Sequence, residues 1–354
     1  MTLRSLQVTD FRCLQRVDLI PDPDYTFISG PNASGKTSLL ESIYLLGRGR
    51  SFRTRRLDHI CRRGASRFVV FGEANTGSRD IPIGVEGSAN GLRARVDGRN
   101  AASLAELALA LPTQIIDPEV HKLIEEGPAR RRRFMDWGVF HVEHGFVSHW
   151  QKYQQALKQR NAALKSRQPR EVTSVWDSEL VRHGEVITDA RARYVDLLLP
   201  QAQELGRRLL GREVSFSFRT GWLKGQALEE ALRNSWDADR DRGSTLVGPQ
   251  RAELHVQMNG VAAKDEVSRG QQKLLAAALL LAQLRLFGSD SPSRPVLLLD
   301  DPAAELDGHR LGLLLEEVRA MPLQLFVTSL SEQVEALGAP GLHVQFDQGE
   351  LLPA

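Results

Sequence analysis

Gly30-Pro31-Asn32-Ala33-Ser34-Gly35-Lys36-Thr37 fits the pattern G-x-x-x-x-G-K-[ST]. A chain of this composition yields such an octet by chance only about 0.005 times. Ahead of it stands the apolar β-type run YTFIS (25–29), and behind it SLLESIYLL (38–46) at helical spacing. A strand that feeds a glycine loop opening a helix commits this region to an α/β unit. Backbone N–H groups and the positive helix end then surround one point, where the phosphates of a nucleotide fit. In that geometry Lys36 reaches the β- and γ-phosphates and Thr37 holds Mg²⁺ through its hydroxyl.

The remaining sequence is organised around that loop. With 354 residues, 42% hydrophobic and 25% charged, the chain has room for one large or two ordinary domains and matches neither a disordered nor a fibrous protein. LRSLQVTDF precedes YTFIS as a strand, and RFVVFGEA, IPIGVE and LRARVDG between 67 and 98 read as further short strands, with Asp97-Gly98 a hairpin turn. From about Glu119 to Gly211 apolar positions recur three or four apart, which predicts helices broken near Pro169. Strands return at EVSFSF and ELHVQMNG, where Asn259-Gly260 is another turn signal. The last hundred residues read helix (Gln271 to Phe287), strand (Pro295 to Asp300), helix (His309 to Ala320) and strand (Leu323 to Thr328). The expected layout is an α/β domain built from 1–115 with 245–354, and a mainly helical lobe, 116–244, inserted between them.

Two further segments gain meaning from the loop. Val296-Leu297-Leu298-Leu299 ends in Asp300-Asp301; as a Walker B arrangement, Asp300 would enter the Mg²⁺ shell and Asp301 would polarise the attacking water. Acids commonly follow buried strands, so the pattern is weak by itself. Ser268-Arg269-Gly270-Gln271 opens an apolar helix, placing a hydroxyl and free N–H groups at its positive end. A capped helix start without a ligand is the plainer reading of that segment.

These three segments in this order, with Ala304-Glu305-Leu306-Asp307 just behind the Asp pair, resemble the ABC-type ATPase heads of the structural-maintenance-of-chromosomes (SMC) kind. DFR (10–12), LLESIYLLGRGRSFRT (39–54), RRRFMDW (131–137), LKQRNAALK (157–165), TLVGP (245–249), SRGQQK (268–273), LLLDDPAAELD (297–307) and FVTSLSEQ (326–333) extend the resemblance over essentially the whole chain, to bacterial recombination-repair members of that family. The resemblance implies a head without a long coiled coil that binds ATP and Mg²⁺ and acts on single-stranded, gapped or duplex DNA. It implies work at stalled forks and gaps with RecO and RecR, indirectly RecA, and support of SOS induction. It also implies an ATP-dependent homodimer in which Ser268, Arg269, Gly270 and Gln271 of one chain face the γ-phosphate held by Lys36 of the other. Asp301 and Lys36 would then be catalytic, Asp307 would lie in the D-loop at the seam, and Arg12 would lie near the nucleotide. Slow hydrolysis is expected.

Several positions depart from the family pattern. Ala33 stands where the family often has Gly; Gln250 and Ala252 occupy GPQRA, where it often has His and Asp; Thr328 or Ser329 stands where transporters carry a switch His. Gln114 is the candidate for the Q-loop.

Acids (44) and bases (46) nearly cancel, so any partner signal is local. Arg48, Arg50, Arg53, Arg55, Arg56, Arg62, Arg63 and Arg67 face a single acid, Asp58, within 48–67; 145–170 holds bases and no acid; Arg130 to Arg133 form a third cluster. Phosphate backbones attract such patches without sequence readout, with Arg53, Arg55, Arg56, Arg131 and Arg132 as the candidate DNA contacts. A solvated arginine face is the alternative. Trp150, Tyr153 and Trp176 read as core rather than base-stacking platforms, and His121, His141, His144 and His149 lack a ligand motif. Cys13 and Cys61 have no C-x-x-C spacing, which points to a reducing compartment. The start lacks the apolar core of a signal peptide, and the longest apolar run, Leu274 to Ala282, falls short of the roughly 20 residues that span a bilayer. The expected location is cytoplasmic. The energising subunit of a membrane transporter is an alternative that the long stretch between Lys36 and Ser268 disfavours. A small-molecule phosphotransferase is another, and it leaves SRGQQ unexplained.

Overall fold

In the helix Lys36–Arg48 every residue from Ser38 to Gly47 is buried, and a helix apolar on all sides needs cover on all sides. The cover comes from two six-stranded sheets, strands of both of which touch it. This computed structural model describes residues 2–75, 77, 79–143, 145–290, 294–304, 306–329 and 337–352. Glu305, residues 330–333 of the FVTSLSEQ segment and His144 lie outside the described residues.

The first sheet runs, edge to edge, Glu350–Leu352, Leu342–Asp347, Tyr25–Ser29, Gln324–Ser329, Val296–Asp300, Thr113–Ile116. Its pairs are parallel except at the Glu350–Leu352 edge. Val296–Asp300 and Gln324–Ser329 are buried at every position, as expected of central parallel strands covered on both faces. The second sheet is antiparallel throughout, in the order Leu14–Leu19, Thr2–Phe11, Arg67–Asn75, Asp80–Ser88, Gly91–Val96, Arg99–Asn100. Leu3, Leu6, Val8, Phe68 and Val70 of this sheet share one core with Leu39, Ile43 and Leu46 of the helix and with Val296, Leu298 and Phe326 of the first sheet. Asp97 and Gly98 both take positive φ (54° and 77°), the type I′ geometry that Asp-Gly predicts.

A buried side chain ties the two sheets together. Gln324, fully buried, accepts the Leu3 N–H through Oε1 (2.7 Å) and donates Nε2 to the carbonyls of Leu3 (2.9 Å) and Asp22 (2.8 Å). It satisfies three main-chain groups that no ladder reaches.

The chain divides into two compact units, 1–120 with 284–354 and 121–283. The second contains the helices Pro128–Val142, Phe146–Lys165 and Asp177–Leu210 and a small sheet in the order Val261–Ala262, Glu253–Met258, Val214–Arg219. The break expected near Pro169 lies between the second and third of these helices, and the Asn259-Gly260 turn has φ of 51° and 81°. Two of the quoted segments meet here. Arg160 of LKQRNAALK, whose side chain is fully buried, donates to Asp177 (2.7 Å), Asp239 (2.7 Å) and Thr245 Oγ1 of TLVGP (2.8 Å). These two motifs thus build the second unit. Packing places 245–283 in this unit, through the pairing of Glu253–Met258 with Val214–Arg219, whereas the expected functional division groups those residues with the ATPase domain. The sequence reading passed over Leu14–Leu19, Thr113–Ile116, Leu342–Asp347 and Glu350–Leu352 as strands, all of them short.

Replacing Gln324 by Ala strands two buried main-chain groups of Leu3 and the half-buried Asp22 carbonyl, and each unsatisfied buried group costs roughly 1–3 kcal/mol. Gln324→Ala should lower the stability of the first unit by about 3 kcal/mol or more, read as a lower midpoint in urea or thermal unfolding followed by circular dichroism.

Candidate functional site

The phosphate loop follows the central strand Tyr25–Ser29 and ends as the helix Lys36–Arg48 begins. Its glycines are required by geometry. Gly30 (φ 145°) and Gly35 (φ 117°) take backbone angles that side chains disfavour, and a Cβ on Gly30 would lie 2.2 Å from the Phe346 carbonyl oxygen. Ala33 is left-handed as well (φ 62°), a conformation costing a non-glycine residue roughly 1–2 kcal/mol. A glycine at this position would escape that cost. Ser34 Oγ is buried in the loop without a hydrogen-bond partner, and an orphaned buried hydroxyl calls for an acceptor or donor from outside the chain.

Neighbouring strand ends complete the site. Asp300, 6% exposed at the end of Val296–Asp300, accepts through Oδ1 from Thr37 Oγ1 (2.9 Å) and Thr328 Oγ1 (2.8 Å). Burial raises its pKa, countered by those two hydroxyls and reinforced by the Asp301 charge. Asp301 is left-handed (φ 47°), and its N–H donates to the carbonyl oxygen and Oγ1 of Thr328 (3.1 Å each). Thr328 therefore braces the Asp300 carboxylate and the Asp301 main chain. Lys36 Nζ donates to the carbonyls of Gly30 (2.6 Å) and Pro31 (2.8 Å). Burial lowers its pKa, against the upward pull of Asp301 and Asp300. Lys36, Thr37, Asp300, Asp301 and Thr328 line a single cleft of about 640 Å³ whose walls also include Arg12, Arg53, His59 and Arg63. It is a phosphate-sized concentration of donors beside two acids, the arrangement expected of a site for a nucleotide with a divalent cation.

The sequence profile described as the RecF/RecN/SMC N-terminal domain matches residues 2–350. The chain is 38% identical, over 99% of its own length and 98% of the other's, to "DNA replication and repair protein RecF" of Yersinia pseudotuberculosis serotype O:1b (strain IP 31758). The chain belongs to the RecF family. A solved structure of the recombination mediator protein RecF with ATP superimposes with a TM-score of 0.88 at 26% identity, covering 99% of this chain and 98% of that one. An SMC head bound to the C-terminal winged-helix domain of ScpA shares the fold, with a TM-score of 0.59 at 15% identity over 98% of this chain and 94% of that one. The ABC/SMC-type head fold expected from the motifs is thus present, and no helix among the described residues is long and apolar enough to cross a membrane.

In this RecF-family chain the signature segment lies in the second unit. Ser268 Oγ accepts the Gln271 N–H (3.4 Å) and Gln271 Oε1 accepts the Ser268 N–H (3.0 Å), a reciprocal capping box at the start of the helix Arg269–Asp290. Arg269 and Gly270 form the first helical positions behind it. Asp307 likewise caps the helix Gly308–Arg319, accepting the Arg310 N–H (2.9 Å). Gln114 is buried in the strand Thr113–Ile116, opposite Leu297, and is not among the residues lining the cleft.

The arginines separate into distinct groups. Arg55 and Arg56 are exposed, Arg56 pairing with Asp58. Arg53 lines the phosphate-loop cleft. Arg132 is half-buried and donates to the Ala252 carbonyl (2.8 Å). Arg131 corrects the expectation of a DNA contact. It is 9% exposed, bonds Glu253 through Nε and Nη2 (2.8 and 3.0 Å), and spends Nη1 on the carbonyls of Leu123, Ile124 and Glu126. Its guanidinium is committed to these acceptors within the second unit. Tyr153 is buried, as expected, with its hydroxyl donating to Gln250. Gln250 in turn donates to the carbonyls of Thr245 and Val247, which gives it a structural job. The residue that sequence reasoning missed is Glu41, an acid in an apolar helical run whose partners are distant in sequence.

A carboxyl whose pKa is raised on folding binds its proton more tightly in the folded state, so its contribution to stability is greatest at low pH and is lost as pH rises from the unfolded value through the folded one. Asp300→Asn removes that buried charge while keeping an acceptor for Thr37 and Thr328. The variant should melt above the parent at pH 7, with the difference shrinking as pH falls into the carboxylate range, in thermal scans without nucleotide.

Proposed function

We propose that this chain is an ATP-dependent DNA-binding protein of recombinational repair and replication-fork maintenance, in which ATP binding closes a homodimer on DNA and slow hydrolysis releases it. The observation that carries this reading is the convergence of the phosphate loop, Thr37, Asp300 and Asp301 in one cleft, in a chain of the family whose members are named for DNA replication and repair. The orphaned Ser34 hydroxyl and the glycine cradle fit a triphosphate. Residues 30–37 would surround it, Lys36 would neutralise the β- and γ-oxygens, and Thr37 with Asp300 would hold Mg²⁺. A bound Mg²⁺ supplies charge neutralisation of the phosphates. Asp301, on its left-handed turn, is the carboxylate available to orient water, and Arg12 on the cleft wall adds positive charge.

Completion of the site falls to a second copy. Ser268, Arg269, Gly270 and Gln271 present a helix N-terminus, and such an end favours an anion; they would meet the γ-phosphate bound to the partner chain, with Asp307 at the seam. The ATPase domain in this functional sense comprises 1–115 with 245–354, and 116–244 is the inserted lobe. Exposed Arg55 and Arg56, with half-buried Arg132 beside them in the candidate set, offer contacts to single-stranded, gapped or duplex DNA. A relative's structure is described within the RecFOR pathway, which supports RecO and RecR as partners, with RecA loaded indirectly and SOS induction downstream. Such work places the protein in the cytoplasm.

Fluorescence anisotropy with labelled gapped, single-stranded and duplex DNA tests the reading. Binding should be tight with ATP-Mg²⁺, weak with ADP or no nucleotide, and strongly reduced by salt; equal binding in all three states contradicts an ATP-gated clamp. Asp301→Asn should lower ATP turnover by about 100-fold or more while the ATP-bound dimer persists in size-exclusion chromatography, and unchanged turnover would move the catalytic carboxylate elsewhere. Ser268→Arg should leave ATP binding intact yet abolish the dimer. A normal dimer would refute the shared site.

A further inference from the structure

Glu41 is the one acidic residue in the helix Lys36–Arg48, and its side chain is fully buried. Three side chains converge on it through four donor atoms. Arg12 binds it through two donors, Nε to Oε2 (2.9 Å) and Nη2 to Oε1 (2.6 Å); Ser51 Oγ donates to Oε1 (2.5 Å); Arg53 Nη1 stands 3.5 Å from Oε2. Ser51 Oγ also accepts the N–H groups of Arg53 (2.9 Å) and Thr54 (3.0 Å). Glu41 therefore holds the turn that carries Arg53 as well as the Arg53 guanidinium.

We propose that Glu41 is a positioning residue for the nucleotide site: through Arg12 and the Ser51 turn it sets two guanidinium groups on the wall of the phosphate-loop cleft, where they bind the anionic part of a nucleoside triphosphate. The inference rests on the nucleotide-binding reading above. Arg12 and Arg53 both line that cleft. A guanidinium has five N–H donors. Arg12 spends two on Glu41 and a further one on the His59 carbonyl, which leaves donors for an anion in the cleft. The Glu41 contacts select the rotamer in which they are presented. One buried carboxylate against two guanidiniums also leaves a net positive wall while relieving the repulsion between the two cations. Arg12 is held tightly, its side chain 17% exposed, and Arg53 loosely at 48%. Arg12 is thus the preorganised contact and Arg53 the adjustable one. This assigns Arg53 to the nucleotide rather than to DNA.

The test is a fluorescence titration of the full chain with N-methylanthraniloyl-ATP and Mg²⁺. Glu41→Gln should weaken binding by about tenfold, and Glu41→Asp, which keeps the charge but shortens the reach, should recover part of it. Arg12→Gln alone should weaken binding similarly, and in the Glu41→Gln background it should add little, because both changes remove one preorganised contact. Full additivity, or unchanged affinity in Glu41→Gln, overturns the proposal. Should Glu41→Gln fail to fold, as judged by circular dichroism, Arg12→Lys decides: it keeps the charge and loses the two-point grip, so wild-type affinity in Arg12→Lys overturns the proposal and a loss of about tenfold supports it. Lys36→Ala separates the two levels. If the parent does not bind the probe, or Lys36→Ala binds it as the parent does, the nucleotide reading itself fails; if Lys36→Ala abolishes binding while the Glu41 and Arg12 variants bind normally, only the role of Glu41 fails.

Discussion

Everything in the first unit depends on burying the helix Lys36–Arg48 on all its sides. Its N-terminus closes the glycine loop, and loop geometry is only as good as the anchorage of that helix. Two sheets supply the anchorage, with Leu39, Ile43 and Leu46 in one core with Leu6, Val70 and Leu298. The price of such enclosure is that polar groups carried into it need partners. Gln324 meets that need between the sheets, and Glu41 meets it inside the helix itself.

The charges follow the same logic. Two buried carboxylates, Glu41 in the phosphate-loop helix and Asp300 at the strand end beside its start, are each held by neighbours rather than left bare. Asp300 is satisfied by hydroxyls from the helix start and from the adjacent strand, which registers the end of Val296–Asp300 against the loop. Glu41 is satisfied by guanidiniums and a serine, which registers the arginine-rich segment after the helix against the same cleft. Removing the guanidiniums from Glu41 leaves an uncompensated buried charge, and that is far more damaging than the pair is stabilising. The two clusters are therefore positional devices that hold parts of the cleft in place.

Much of this was legible in the sequence because it is local. G-x-x-x-x-G-K-T names its strand, loop and helix, Asp97-Gly98 and Asn259-Gly260 name their turns, and the apolar run before Asp300 names a buried strand. The edge strand Glu350–Leu352 was not legible, since three residues carry too little periodicity to stand out, and neither was its neighbour Leu342–Asp347. Arg131 was misread for a related reason: a run of four arginines looks like a surface patch, and nothing in the run says that the second one turns inward to Glu253, more than a hundred residues away.

The sequence by itself determined the phosphate loop, the acidic strand end, the α/β character and the family, because each rests on residues adjacent in the chain or on a fixed order of motifs. Tertiary structure alone decided what holds the charges around the cleft in place. Glu41, Arg12, Ser51 and Arg53 meet across the junction of a hairpin turn, a helix and a loop, and Thr328 reaches Asp300 only because Gln324–Ser329 lies beside Val296–Asp300 in the sheet. A side chain's job is set by the neighbours that packing brings to it, and one-dimensional spacing does not encode them.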